Sequence, residues 1–188
     1  EAGGTPMPVS ADRYANEWAA APAPDGSTLA FVGRGYGQWW RHGHAHIDES
    51  VIMLMREHST SKYEALTDGG AKEVWPMWGE GGKSLYYMSD RGGAENIWKL
   101  SLGGRPAQLT KFTSGRVLWP SISYDGRTIV FERGYRIWRV ETDSGRASEV
   151  RLTLRGAPDA LRAEPVPLRR GRLRRKRASR RAAWGRLE

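Results

Sequence analysis

The sequence contains no cysteine. A disulfide framework and a thiolate-held metal are both excluded as the source of its stability, which must come from packing. Nor does any stretch approach the roughly 18 uninterrupted apolar residues that a membrane-spanning helix needs. Residues 1–20 lack the basic start and apolar core of a secretory leader. The chain opens at Glu1 rather than Met, as a processed or excised piece would, so the compartment stays open on sequence grounds. A Gly-x-Ser-x-Gly nucleophile elbow is missing too, and three of the 4 histidines crowd into one short stretch. No nucleophile, base and oxyanion donor can be assembled from residues 1–150, and no cofactor motif is visible.

What is present is a repeat. Glycine (23) and tryptophan (9) are abundant, and three segments align: Trp18 to Phe31 with Asp25-Gly26, Trp75 to Tyr87 with Gly81-Gly82, and Trp119 to Phe131 with Asp125-Gly126. The first segment carries one extra residue after its Trp in this alignment. Each reads as a short strand, a tight turn that needs glycine at positive φ, and a β-branched or aromatic strand. A third strand follows in every unit (Val51–Leu54, Asn96–Leu100, Arg136–Val140), and a fourth ends near Leu66-Thr67, Leu109-Thr110 and Leu152-Thr153. Four strands in a unit of about 40 to 45 residues describe a propeller blade. An ordinary antiparallel sandwich is the alternative. The expected fold is all-β: about three four-stranded antiparallel blades, with a disordered or partly helical basic tail. Recurrent Trp75, Trp98, Trp119 and Trp138 are expected to pack between blades. Asp90-Arg91, echoed by Glu132-Arg133, is expected to form an ion pair at a turn.

The stretch Trp75-Pro76-x-Trp78, Gly82-Lys83, Ser89-Asp90-Arg91, Gly93, Asn96-Ile97-Trp98 and Gln108-Leu109-Thr110 resembles the propeller repeat shared by TolB, the tricorn protease and related peptidases. The resemblance covers residues 1 to about 156. It implies the following divisions: 1–10, the end of a preceding blade; 11–68, a blade with an insertion at 33–49; 69–111 and 112–156, two further blades; and 157–188, a tail. Three blades fall short of the four to eight of a closed propeller, so a fragment that is unstable alone or associates is expected.

The insertion resembles tricorn-type peptidase homologues more than TolB. Arg34, Trp39, Trp40 and Arg41 give it the aromatic and cationic make-up of an interface hot spot, suited to a peptide or a neighbouring subunit. Packing of Trp39 and Trp40 over one propeller face is the competing reading. His42, His44, His46 and Asp48 alternate along the chain and are candidate ligands for a divalent metal, against which stands that one loop cannot easily surround an ion.

The net charge of +9 belongs to the tail: residues 151–188 hold 13 Lys/Arg against 3 Asp/Glu, whereas 1–150 are nearly balanced. The run from Arg169 to Arg181 suits nonspecific binding of nucleic acid or another polyanion. A shift of reading frame is the other account of so abrupt a change, since the resemblance implies another blade there. Three functions follow. The resemblance to tricorn-type serine peptidases implies a non-catalytic propeller segment governing peptide access, with catalysis in a domain absent from this chain and a cytoplasmic setting. The resemblance to TolB implies a periplasmic scaffold for protein partners. The tail alone implies a polyanion binder.

Overall fold

The computed structural model describes residues 16–34, 50–56 and 63–153. The expected end of a preceding blade, most of the insertion and almost all of the tail lie outside them. Within the unit Glu1–Leu152, the described residues form three four-stranded sheets, each antiparallel in chain order. Blade 1 comprises β1 (Asn16–Pro22), β2 (Thr28–Arg34), β3 (Val51–Arg56) and β4 (Tyr63–Ala65). Blade 2 comprises β5 (Glu73–Trp78), β6 (Ser84–Ser89), β7 (Asn96–Ser101) and β8 (Ala107–Gln108). Blade 3 comprises β9 (Leu118–Ile122), β10 (Thr128–Arg133), β11 (Arg136–Glu141) and β12 (Ala147–Glu149). There is no α-helix among the described residues, only one 3₁₀ turn at Glu80–Gly82. The first strands stand side by side, β1 against β5 and β5 against β9. That is the radial arrangement of propeller blades.

Packing follows from the two-residue period of the strands. Ala30, Val32, Ile52 and Leu54 of blade 1 share one core with Leu85, Tyr87 and Ile97 of blade 2 and with Ile129, Phe131 and Val140 of blade 3. Blade 2 lies between the others and is buried on both faces. Tyr86 and Val130 occupy the same register position in β6 and β10, yet Tyr86 is 3% exposed and Val130 41%. The difference is the sheet that covers Tyr86. On blade 1, Phe31, Met53 and Met55 form a separate buried cluster with Tyr63, on the face opposite Ala30 and Val32.

Register corrects the sequence alignment. All three first strands carry a bulge, between Trp18 and Ala21, between Val74 and Met77, and opposite Val130–Glu132. The left-handed residue in each bulge is Ala19 (φ 51°), Trp75 (φ 56°) or Trp119 (φ 52°). Blade 1 therefore has no extra residue. Ala19 takes the place of Trp75 and Trp119, and Trp18 that of Val74 and Leu118. The fourth strands also end earlier than expected. The Leu-Thr pairs lie just past them: Leu66 and Leu109 bond to the carbonyls of Ile52 and Ile97, while the Thr67 and Thr110 hydroxyls accept from the N–H groups of the same two residues. In blade 3 the matching bond comes from Val150, so Leu152-Thr153 is not the equivalent pair.

Candidate functional site

Two concave regions lie at opposite ends of the first strands. At the ends of β1, β5 and β9 is an open groove of about 730 Å³, lined in part by Pro22, Pro76, Met77, Trp78, Pro120 and Tyr124. The sequence builds it from the bulges. Pro76 and Pro120 follow the left-handed Trp75 and Trp119, where an irregular ladder tolerates a residue without an N–H. Trp78 spans the blade boundary, its Nε1 donating to the carbonyl of Ala21 at 2.8 Å. Tyr124 is fully exposed. Glu80 and Asp125 add carboxylates, and Ser121 and Ser123 hydroxyls, to the wall. The Ser123 hydroxyl, bonded to Asp125 at 2.5 Å, and the Arg127 N–H hold the Asp125 carboxyl below its ordinary range.

The second region is at the strand starts. Trp18, Trp75 and Trp119 form a ladder, with centroids 6.3 Å apart for the first pair and 5.5 Å for the second. The three rings line a pocket of about 380 Å³ together with Lys72 and Arg116. Glu95, in the turn between β6 and β7, binds Lys72 Nζ at 3.0 Å, lies 3.5 Å from Arg116 Nε and accepts the Val117 N–H at 2.8 Å. One carboxylate thus ties together the segments that lead into β5 and β9.

Trp98 and Trp138 occupy equivalent places in β7 and β11 and pack on the core as expected. Trp75 is half-buried and Trp119 is 68% exposed, so recurrence in the sequence does not mean equal burial. Arg91 lies 5.6 Å from the Trp98 ring centroid, and Arg133 lies 5.7 Å from Trp138 and 4.2 Å from Phe112. The expected turn ion pair is not within Asp90-Arg91. Arg91 reaches Glu73 at the start of β5 and Asp68, whereas Asp90 accepts the Lys72 N–H. Glu73 is completely buried, and burial pushes its carboxyl up against the opposing pull of Thr67 and Arg91. Burial lowers Arg91, but Glu73, Tyr87 and Asp68 together raise it above its ordinary value. This cluster joins blades 1 and 2 and is a structural clamp.

Of the residues singled out in the sequence, Arg34 ends β2, its backbone opposite Asn16. Ser50, where the insertion returns, bonds to the Glu73 backbone through its hydroxyl. Both roots of the insertion are therefore at the ladder end. Trp39, Trp40, Arg41, His42, His44, His46 and Asp48 lie outside the described residues, as does Arg169 to Arg181. Lys72, Glu95, Arg116 and Tyr124 carried no signal of their own, because their places come from segments distant in the chain being brought together.

No family model matches the sequence, and no curated protein matches it. Solved structures do share its fold. A putative TolB from Agrobacterium tumefaciens superposes with a TM-score of 0.62 at 20% identity, over 78% of this chain and 52% of that one. TolB from Acinetobacter baumannii gives 0.54 at 22%, over 70% and 31%, and the tricorn protease 0.55 at 19%, over 74% and 13%. The fold is that of the blades in TolB-like and tricorn-like propellers. This chain spans about half the length of the first of these structures and less of the others. No helix among the described residues is long and apolar enough to cross a membrane.

Proposed function

We propose that this chain is a non-catalytic propeller segment that binds peptides or protein partners in the groove at the ends of its first strands. The observation that carries this reading is the groove itself: its volume falls within the usual range for ligand sites, roughly 300–1,000 Å³, and three blades build its wall from proline, tryptophan and exposed tyrosine. Such surfaces suit an extended chain, which supplies backbone donors and acceptors together with apolar side chains. A setting in which the groove governs peptide access to a peptidase, and one in which it holds a protein partner as a TolB-like scaffold, use the same surface. The fold neighbours include both kinds of protein.

The test is selection of short peptides from a displayed library on the full chain, followed by titration against wild type and Tyr124→Arg. The proposal requires a selected peptide to lose at least about tenfold in affinity, equivalent to about 1.4 kcal/mol, in the variant. Unchanged affinity would remove the groove from the account. Tyr124 is fully exposed, so an effect on folding is not anticipated.

A further inference from the structure

The Trp ladder with Lys72 and Arg116 lines a second pocket, which shares no residue with the groove. Its described lining carries two cations, three indoles and two aliphatic side chains, and no carboxylate. Glu95 lies outside that lining and pairs with both cations, and Asp90 is engaged with the Lys72 backbone. Arg116 keeps 64% of its side chain exposed, so its guanidinium remains available to a second acceptor. Two indoles are placed by non-glycine residues at positive φ, Trp75 and Trp119. L-residues adopt that conformation at a cost, and it recurs at ligand clamps. Ala19 takes the same bulge in blade 1 without contributing a ring. The bulge is thus common to the repeat, while its indole is particular to blades 2 and 3.

We propose that this pocket takes an acidic side chain of an extended partner peptide, with the carboxylate on Arg116 and a neighbouring apolar side chain against Trp75 and Trp119. Charge decides the sign of the ligand, since the exposed charge of the lining is the Arg116 guanidinium, Lys72 being 11% exposed and paired with Glu95. The rings decide its body, since indole faces bury apolar groups at little entropic cost. Guanidinium and carboxylate pair through charge-assisted hydrogen bonds that an amide cannot match. The inference rests on the peptide-binding reading above but uses the opposite end of the strands, where both roots of the insertion also lie.

The experiment titrates the full chain with two acetylated, amidated tetrapeptides, Phe-Glu-Phe-Glu and Phe-Gln-Phe-Gln, following the indole N–H signals of Trp75 and Trp119 by NMR. The glutamate peptide should bind about tenfold more tightly than the glutamine peptide, weaken with added salt, and lose about tenfold in Arg116→Gln and in Trp119→Ala. Tyr124→Arg should leave its affinity unchanged. Two variants are used so that a folding defect in one does not decide the matter. Equal affinity for both peptides, no saturable binding of either, or binding indifferent to Arg116→Gln and Trp119→Ala would each overturn the site. Loss of binding in Tyr124→Arg alone would overturn the site while supporting the groove.

Discussion

Trp78 of the second blade donates its indole N–H to the carbonyl of Ala21 in the first at 2.8 Å, with the side chain almost wholly buried. This bond crosses the boundary between two sheets, as do the bonds of the Ser50 hydroxyl to the Glu73 backbone. Trp78→Phe keeps most of the ring and removes the donor. It should cost about 1–2 kcal/mol in urea unfolding, because the Ala21 carbonyl loses a partner. Trp119→Ala removes a larger group, but one that is mostly exposed, and should cost less.

The turn glycines offer a controlled comparison. Gly26 and Gly126 both have φ +70°, yet a Cβ at Gly26 meets nothing within 4 Å, whereas at Gly126 it would lie 2.6 Å from the Glu80 backbone nitrogen. Gly26→Ala should cost only the left-handed penalty, about 1–2 kcal/mol. Gly126→Ala should cost that and about 1–3 kcal/mol more, as the turn is pushed off the neighbouring blade. Equal destabilisation of the two variants would contradict the blade contact.

Glu73 and Arg91 pair within blade 2, and Arg91 also reaches Asp68 at the end of blade 1. Glu73→Ala leaves a largely buried guanidinium with only the exposed Asp68 opposite, and should destabilise by about 3 kcal/mol. A double change to Glu73→Met and Arg91→Leu should recover most of that loss. Urea unfolding of the single and double variants checks both statements.

The pH dependence has a definite sign. Burial raises the Glu73 carboxyl above its ordinary value, so the folded state holds this proton more tightly than the unfolded one. The associated stability is complete below the unfolded pKa and is lost as pH rises through the folded value. Asp25, lowered by the Ser27 N–H and hydroxyl, and Asp125 act in the opposite sense, their contributions fading as pH falls through their folded values. Urea midpoints of wild type and Glu73→Gln between about pH 4 and 8 should differ in slope, with the variant lacking the decline.

Much of the fold was legible because the repeat writes it locally. Asp25-Gly26 and Asp125-Gly126 specify turns, and alternation in Leu85–Tyr87 and Ile129–Phe131 specifies strands. The bulge was not legible. A left-handed Trp75 or Trp119 has no sequence signature, and Ala19 could be placed only by pairing Trp18 with Val32. Arg91 was noticed, but its partner Glu73 lies 18 residues away, and it is the pairing of β5 with β6, Glu73 opposite Ser89, that brings them together. Arg116 and Glu95 meet only where the start of blade 3 reaches blade 2. The groove was missed because its wall takes one short piece from each blade, and no piece is distinctive alone.

The most direct measurement of the central claim is backbone amide hydrogen exchange of the full chain with and without a selected peptide. Binding in the groove predicts slower exchange at Met77–Gly79 and Ser121–Ser123, the strand ends that form its wall, with the outer strand Ala147–Glu149 unaffected. Protection confined to the outer strands, or none at these strand ends, would contradict the assignment of the groove as the peptide site.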